Sequence, residues 1–150
     1  MTDSSKNVRV RVAGILIENG RVLLISHKKE DDIYWLLPGG GVDFGESLEE
    51  ALAREFFEEL NISIKTHNLA FVCDSIDPHG GRHILNIIFY CSYTEGVYSV
   101  GREKRLLGYE FYSYDELAGL KLFPPINNEL ISVLKNESNS IYIGKMWLMK

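Results

Sequence analysis

The stretch GGGVDFGESLEEALAREFFEELNI, residues 39–62, decides how this chain is organised. Its three glycines allow backbone conformations that other residues rarely adopt, which is typical of a turn or of a close approach to a ligand. The segment Ser47-Leu48-Glu49-Glu50 is a capping box and predicts a helix that begins there and runs to about Leu60. Asn61 suits the left-handed position that closes such a helix, because asparagine follows glycine in that role.

The acidic residues of this helix lie where a helix tolerates them least. Glu55, Glu58 and Glu59 follow the apolar face of the first turns at i+3 and i+4 spacings, so we expect them to point inward or into a cleft. A second apolar side with Phe56 and Phe57 predicts a helix sandwiched between layers. Like charges at these spacings repel, and the helix dipole disfavours each acid by about 0.3–1 kcal/mol. A hard divalent cation such as Mg²⁺ would resolve the conflict; the alternative is a solvated acidic helix end.

Arg54 is the only basic residue within this predicted helix. It lies between Glu50 and Glu58 at i−4 and i+4 spacings, so it can brace the acidic cluster but cannot neutralise it. The glycines in front of the helix could supply a backbone carbonyl to the same cation. The alternative interpretation of these glycines is a plain turn.

The rest of the chain alternates between strand patterns and short helical patterns. Strands are predicted at 8–18, 21–26, 34–37, 69–75, 82–93 and 106–113, with Asn19-Gly20 as a hairpin turn. A helical turn is predicted at 115–120 and a helix at 126–135. The tail, residues 141–150, is apolar enough to add a strand or to pack on a partner. These patterns predict one mixed α/β domain over residues 1–150.

Composition and charge narrow the class of protein. A chain of 150 residues with 45% hydrophobic residues can bury a core, which argues against a disordered tail or a collagen-like fibre. The net charge of −5 argues against general nucleic-acid binding. We find no signal-like or membrane-spanning run and expect a cytoplasmic protein. Cys73 and Cys91 lie in strand-like runs and are predicted to be reduced core residues.

Residues 40–62 resemble the Nudix box, G-x5-E-x7-R-E-U-x-E-E-x-G-U, in which U is a bulky apolar residue. The matching positions are Gly40, Glu46, Arg54, Glu55, Phe56, Glu58, Glu59 and Ile62. The one departure is Asn61, which stands where the box has glycine. The resemblance extends over about residues 8–135 and includes the preceding LLPGG segment and the later FYSYDEL segment. Residues 136–150, which include the tail, lie outside it.

The Nudix resemblance implies an α/β/α sandwich, with a mixed sheet between helices. It also implies Mg²⁺-dependent hydrolysis of a nucleoside diphosphate linked to another moiety, with Mn²⁺ as a possible substitute. The implied metal ligands are three carboxylates and one carbonyl, those of Glu55, Glu58, Glu59 and Gly40. Arg54 would orient the glutamates, and Glu46 would support the same network.

The catalytic base is less well defined by the resemblance. Many family members use a glutamate from a later loop, for which Glu103 is the candidate and Glu110 the reserve. Arg105 stands where relatives often carry an acid, so Glu55 itself is a further option. ADP-ribose, nucleoside triphosphates and dinucleoside polyphosphates are all substrate classes of such an enzyme, and a homodimer is possible. The alternative function is a non-catalytic Nudix domain that senses a nucleotide or binds a partner.

Weaker patterns each have two interpretations. Arg102, Lys104 and Arg105 could meet substrate phosphates or form an exposed loop. The aromatic residues in strand-like runs could stack on a base but are more often core residues; they are Tyr34, Trp35 and Tyr98. His79 and His83 have H-x3-H spacing, but two histidines around a glycine turn make a poor zinc site.

Overall fold

The computed structural model describes residues 6–137 and 139–147. Within these residues lie eight strands and three helices. The strands are β1 (Arg9–Glu18), β2 (Arg21–Lys29), β3 (Asp32–Leu36), β4 (Gly39–Gly41), β5 (Ile62–Ile76), β6 (His83–Gly96), β7 (Leu106–Tyr112) and β8 (Tyr142–Met146). The helices are α1 (Leu48–Leu60), α2 (Tyr114–Leu117) and α3 (Asn127–Leu134). No helix in the described part of the chain is long and apolar enough to cross a membrane.

The strands form a mixed sheet in which β1 is central. The strand order is β3-β2-β1-β6-β5-β8, with β4 also paired to β1 and β7 also paired to β2. Two pairs are parallel, β1 with β6 and β5 with β8, and the others are antiparallel. Because β1 pairs with both β4 and β6, the glycine strand is held directly beside the centre of the sheet.

Alternating residues of β1 serve two separate cores. Val12 and Leu16 point to the core that includes the buried face of α1, whereas Ala13 and Ile15 point to the core that includes residues of α2 and α3. This alternation follows from the two-residue period of a strand. The sheet therefore lies between helices, which confirms the predicted α/β/α sandwich.

Helix α1 has the predicted ends. The Ser47 side chain accepts a hydrogen bond from the Glu50 N–H at 3.1 Å, and the Glu50 carboxylate accepts one from the Ser47 N–H at 3.1 Å. Asn61 closes the helix in the left-handed conformation, at φ 59°, and its N–H donates to the Phe57 carbonyl. The capping box and the replacement of glycine by asparagine are thus both compatible with the fold.

Helix α1 packs against only one layer, so the sandwiched helix was a wrong prediction. Phe56 is fully buried, but Phe57 is 60% exposed and Ala53 is also exposed. The reason is that the sheet covers one side of α1 while no other described element packs over Phe57. An aromatic residue in a helix is therefore not by itself a sign of a second core-facing side.

The glycine segment and strand β5 differ most from the sequence predictions. The glycines form strand β4, antiparallel to β1, and do not form a plain turn. Strand β5 begins at Ile62, well before the predicted residue 69, because it pairs with the long strand β6 as far as Gly96. Polar residues around His67 hide this continuity in the sequence, and the pairing shifts register there.

The tail adds a strand, which is one of its two predicted outcomes. Strand β8 pairs in parallel with β5, with Ser75 opposite Met146. The apolar residues Leu148 and Met149 lie outside the described residues. The cysteines Cys73 and Cys91 are free and buried, as predicted.

Candidate active site

A cleft of about 370 Å³ opens where the ends of β1–β4 meet the carboxylate side of α1. Its lining contains four acidic residues: Asp32, Glu55, Glu59 and Glu103. It also contains six basic residues: Arg9, Arg11, Lys29, Arg82, Arg105 and Lys121. The cleft thus brings acidic groups suited to a cation together with basic groups suited to an anion.

Glu59 is the buried carboxylate of the cleft. Only 4% of this residue is exposed, and its Oε1 accepts a hydrogen bond from the Gly39 N–H at 2.9 Å. Burial raises the pKa of Glu59 to about 8, although Arg11 and the Gly39 N–H act in the opposite direction. A single backbone donor therefore does not compensate the desolvation of this charge.

Strand β4 touches the carboxylates because its residues are glycines. A Cβ on Gly40 would clash with the carboxylate of Glu55, and a Cβ on Gly39 would clash with the backbone of Val12. Gly39 also has a φ of +157°, at the limit of the region that favours glycine. The glycines allow a close approach between strand and helix side chains, as one of the two sequence interpretations proposed.

Glu55 is held in place by Arg54 at the edge of the cleft. Its Oε1 accepts a hydrogen bond from Arg54 Nη1 at 2.9 Å, and its side chain is 14% exposed. Burial raises the pKa of Glu55, while the hydrogen bond and charge of Arg54 oppose that rise. Glu55 therefore combines a fixed orientation with incomplete neutralisation.

Arg54 connects helix α1 to the loop that precedes it. It donates to both oxygens of Glu46, at 2.7 and 2.9 Å, and to the Gly41 carbonyl at 3.0 Å. The hydrogen bonds from Arg54 and from the Asp43 N–H lower the pKa of Glu46 to about 2. The structure thus brings Arg54, Glu46 and Glu55 into one hydrogen-bond network.

Glu58 does not point inward as predicted. Its side chain is 56% exposed, and its Oε2 lies 3.4 Å from Arg54 Nη1. It does not belong to the residues that line the cleft in the described structure. One residue along a helix is a rotation of about 100°, so Glu58 and Glu59 cannot share one direction.

Glu103 reaches the cleft from the loop before β7, and it meets a residue that the sequence did not single out. A ring nitrogen of His27 and carboxylate oxygens of Glu59 and Glu103 lie within 4.8 Å of one another. Burial lowers the pKa of His27, and its Nε2 is buried without a hydrogen-bond partner among the described residues. His27 ends the apolar run of β2, but one histidine at a strand end is too common to signal a site.

The reserve base Glu110 lies elsewhere. It is on β7, paired opposite Leu24, and its carboxylate accepts a hydrogen bond from the Phe111 N–H. It lines no part of the cleft in the described structure. Of the two later-loop candidates, only Glu103 is near Glu59.

The basic lining of the cleft comes mostly from residues outside the predicted basic cluster. Arg105 lines the cleft, but Arg102 and Lys104 are exposed and do not line it in the described structure. Arg11 of β1 is paired opposite Gly41 of the glycine strand, and its Nη2 donates to the Leu37 carbonyl at 2.9 Å. Burial lowers the pKa of Arg11, opposed by the charges of Glu59 and Glu55. The basic residues that line the cleft are far apart in the sequence, so no single sequence pattern identified them together.

The three predicted aromatic residues separate into two groups. Tyr34 lines the cleft, with its ring 5.7 Å from that of His27. Trp35 packs against Tyr112 at 5.0 Å beside the α2 and α3 core. Tyr98 stacks on neighbouring tyrosines beside the α1 core. Alternation along β3 explains why adjacent Tyr34 and Trp35 face opposite sides.

The two histidines of the H-x3-H pattern belong to other contacts. His79 lies in the exposed turn, where its N–H donates to Asp77 at 2.8 Å. His83 Nε2 lies 2.9 Å from Asp74 Oδ1.

The donor set of the cleft fits a hard divalent cation. Glu59 is a buried carboxylate whose charge is not compensated, and Glu55 and Glu103 supply further oxygens nearby. The unpartnered Nε2 of His27 adds a nitrogen donor on the same wall. Mg²⁺ and Mn²⁺ both accept carboxylate ligands, so these residues could hold either ion.

Comparison with known proteins identifies related domains. Residues 7–134 match the family model of the NUDIX domain. The chain is 32% identical over 112 residues to an ADP-ribose pyrophosphatase of Methanocaldococcus jannaschii, covering 74% of this chain and 65% of that protein. It is 34% identical over 104 residues to the NAD-capped RNA hydrolase NudC of Erwinia tasmaniensis, covering 69% of this chain and 37% of that protein.

Solved structures show the same fold. A MutT NUDIX hydrolase from Burkholderia pseudomallei is 31% identical, with a TM-score of 0.67 over 73% of this chain and 86% of that one. A NUDIX hydrolase from Nitrosomonas europaea, at 19% identity, has a TM-score of 0.75 over 87% of this chain and 89% of that one. The chain thus spans less than two thirds of the length of the first two relatives and most of the length of these structures.

Proposed function

Because this chain belongs to the NUDIX domain family, we propose that it is a metal-dependent pyrophosphohydrolase. Its substrate would be a nucleoside diphosphate linked to another moiety, and its preferred ion Mg²⁺, with Mn²⁺ as a substitute. The observation that carries this proposal is the buried, uncompensated Glu59 beside Glu103 in a cleft that is also lined with cations. Such a cleft combines negative groups that would bind the metal ion with positive groups that would bind the pyrophosphate.

Four groups would hold the cation in this proposal: the carboxylates of Glu55, Glu58 and Glu59 and the carbonyl of Gly40. The positions of Glu55, Glu59 and Gly40 around the cleft support their assignment. Glu58 would have to turn from its exposed position to take part. A bound divalent ion would withdraw charge from the pyrophosphate oxygens and lower the pKa of an attacking water.

The chain's own residues would do the remaining work. Arg54 and Glu46 hold Glu55 in one orientation, through hydrogen bonds of 2.7–2.9 Å. Glu103 would accept the proton of the attacking water as the water oxygen bonds to phosphorus, the anhydride P–O bond breaks and the other phosphate product leaves. The proximity of Glu103 to Glu59 supports this role. Glu55 remains the second candidate for the base.

The basic residues of the cleft would bind the phosphates of the substrate. Arg9, Lys29, Arg82 and Arg105 are exposed side chains that line it. One guanidinium group can donate two parallel hydrogen bonds to a phosphate. Several guanidinium groups around one cleft therefore suit a substrate with two or more phosphates. The net charge of −5 for the chain makes this basic lining a local feature and not a general property of the surface.

The substrate classes remain those that the resemblance implies: ADP-ribose, nucleoside triphosphates and dinucleoside polyphosphates. The named activities of the relatives, an ADP-ribose pyrophosphatase and an NAD-capped RNA hydrolase, support a substrate with an internal pyrophosphate. A single domain over residues 1–150, cytoplasmic location and a homodimer are parts of the same proposal.

A substrate panel with matched variants tests this function. Wild type, E59Q and E103Q would be assayed with Mg²⁺ and Mn²⁺ on the three substrate classes, with release of phosphate or nucleotide as the readout. E95Q is the matched control, because Glu95 is an exposed residue of β6 outside the cleft. We expect turnover by wild type and E95Q, with large losses in E59Q and E103Q.

Two results would contradict the proposal. Wild-type turnover no greater than that of E59Q on every compound would favour the non-catalytic nucleotide-binding alternative. Full activity after removal of divalent ions by a chelator would contradict the metal dependence, whatever the substrate.

A further inference from the structure

A tryptophan from the end of the chain forms part of the cleft wall. Strand β8 pairs in parallel with β5, and Ser75 opposite Met146 is the last pair. This pairing fixes the direction of the chain, so that Trp147, the next residue, lies among the residues that line the cleft. Trp147 lies outside residues 7–134, the range that matches the family model.

The ring of Trp147 is available for stacking. It lies 5.4 Å from the ring of Phe123 at an interplanar angle of 87°. In a perpendicular pair the edge of one ring meets the face of the other, so Phe123 covers at most one face of the indole. Trp147 and Trp35 are both half-buried, but Trp35 packs against the α2 and α3 core whereas Trp147 lines the cleft.

The cleft that Trp147 lines combines aromatic and basic side chains. Tyr34 and Phe123 line the same cleft, together with the guanidinium groups of Arg9 and Arg82. A ligand that fits both features is flat and aromatic at one end and carries phosphate at the other. A nucleobase attached to ribose phosphate has this chemistry, and stacking needs no particular pattern of donors on the base.

We propose that Trp147 is the stacking platform for the nucleobase of the substrate. The proposal rests on the proposed function for the presence of a nucleotide in the cleft. Trp147 would be a specificity-determining residue that holds the base and takes no part in bond breaking. Because stacking accepts any base, Trp147 would select for a nucleotide over a base-free sugar phosphate.

The test compares ligands with and without a base. Isothermal titration would give the Kd of AMP, GMP, CMP, UMP and ribose 5-phosphate for wild type, W147A and W147F. None of these compounds has an anhydride bond, so binding is measured without turnover. We expect at least one nucleotide to bind wild type about 5- to 100-fold more tightly than ribose 5-phosphate. W147A would lose most of this difference, W147F would keep most of it, and ribose 5-phosphate would bind all three proteins equally.

Two controls separate stacking from a general loosening of β8. Y142A truncates an exposed aromatic residue of the same strand that contacts Asp74 and does not line the cleft in the described structure, so it is expected to keep the preference for nucleotides. The emission of Trp147, taken as the difference between wild type and W147F, is expected to be quenched by a nucleotide and not by ribose 5-phosphate.

The proposal is overturned if no nucleotide binds wild type more tightly than ribose 5-phosphate. It is also overturned if the preference survives in W147A or is lost equally in Y142A. Hydrolysis by the same wild-type preparation keeps the two proposals apart. If wild type prefers nucleotides through Trp147 but hydrolyses no substrate, the stacking proposal is supported and the proposed hydrolase function is contradicted. If wild type hydrolyses a substrate but shows no such preference, the hydrolase function is supported and the stacking proposal is contradicted.

Discussion

Helix α1 and the loop before it carry two groups of carboxylates that differ in how their charge is compensated. Glu46 and Glu55 receive hydrogen bonds from Arg54 at 2.7–2.9 Å, and the protein itself supplies their cation. Glu59 is 4% exposed and has one backbone donor. The pKa of Glu46 is therefore lowered to about 2, whereas burial raises the pKa of Glu59 to about 8. Glu55 is intermediate, because burial raises its pKa and Arg54 opposes that rise.

This contrast indicates what each group is for. A carboxylate whose pKa is lowered to about 2 by an arginine is already satisfied and serves to hold geometry. For Glu59, whose pKa is raised to about 8, the Gly39 N–H and the charge of Arg11 do not offset the desolvation of its carboxylate. Strongly perturbed carboxylates in a cleft are candidates for function, and the deficit at Glu59 is what a cation would fill.

Removal of the buried charge is expected to have the largest effect. E59Q should lower hydrolysis by about 100-fold or more, because it removes a proposed ligand, and it should weaken Mg²⁺ or Mn²⁺ binding measured by titration of the metal-free protein. The same change should leave the metal-free protein as stable as wild type or more stable at pH 8, since it removes an uncompensated buried charge. If E59Q binds the ion as tightly as wild type does, Glu59 is not the carboxylate whose charge a cation compensates.

Glu59 and Glu46 are expected to change the free energy of unfolding with pH in opposite directions. Glu59 has a folded pKa of about 8 and an ordinary value of 4.5, so between these values the folded state keeps a proton that the unfolded state has lost. Unfolding then releases protons, and the free energy of unfolding of the metal-free protein falls as the pH rises from 4.5 to 8, by an amount on the order of a few kcal/mol. E59Q lacks this fall.

Glu46 acts in the other direction at lower pH. Its folded pKa of about 2 lies below the ordinary value of 4.5, so its contribution is present above pH 4.5 and is lost as the pH falls toward 2. Chemical denaturation of wild type, E59Q and E46Q across pH 3–9 measures both slopes. If the free energy of unfolding of E59Q and of wild type changes with pH in the same way above pH 4.5, then ionisation of buried Glu59 does not destabilise the folded protein.

Removal of the internal cation is expected to have an intermediate effect. R54A breaks the hydrogen bonds to Glu46, Glu55 and the Gly41 carbonyl, and it should lower the free energy of unfolding by about 1–3 kcal/mol. Hydrolysis should fall by about 10–100-fold because Glu55 loses its orientation. R54K keeps the charge but not the planar fork, so it should recover only part of the stability. Full recovery in R54K would mean that charge alone, without geometry, holds this group together.

The smallest expected effect is on stability in E58Q. Because Glu58 is 56% exposed and lies 3.4 Å from Arg54, its removal should change the free energy of unfolding by less than about 0.5 kcal/mol. Hydrolysis should nevertheless fall, since Glu58 is a proposed ligand. Thermal denaturation and the substrate panel measure the two effects separately, and retained activity would remove Glu58 from the ligand set.

The local features of α1 could be read from the sequence, but the orientation of its side chains could not. The capping box and the Asn61 closure involve residues within one loop and one helix, where hydrogen bonds follow from spacing. Whether Glu58 or Glu59 is buried depends on where strand β4 lies. Inward-pointing Glu58 and a sandwiched α1 were predicted wrongly for this reason.

The sequence by itself determined the family, the limits of α1 and the set of carboxylates, because these depend on short-range periodicity and capping. Only the tertiary structure decided which of them line the cleft and what they meet there. His27, Arg11 and Trp147 come from strands β2, β1 and the end of β8, and the pairing of distant strands brings them to the cleft. Burial changes a carboxylate's pKa through neighbours that are remote in sequence, so no local pattern could identify Glu59 as the uncompensated charge.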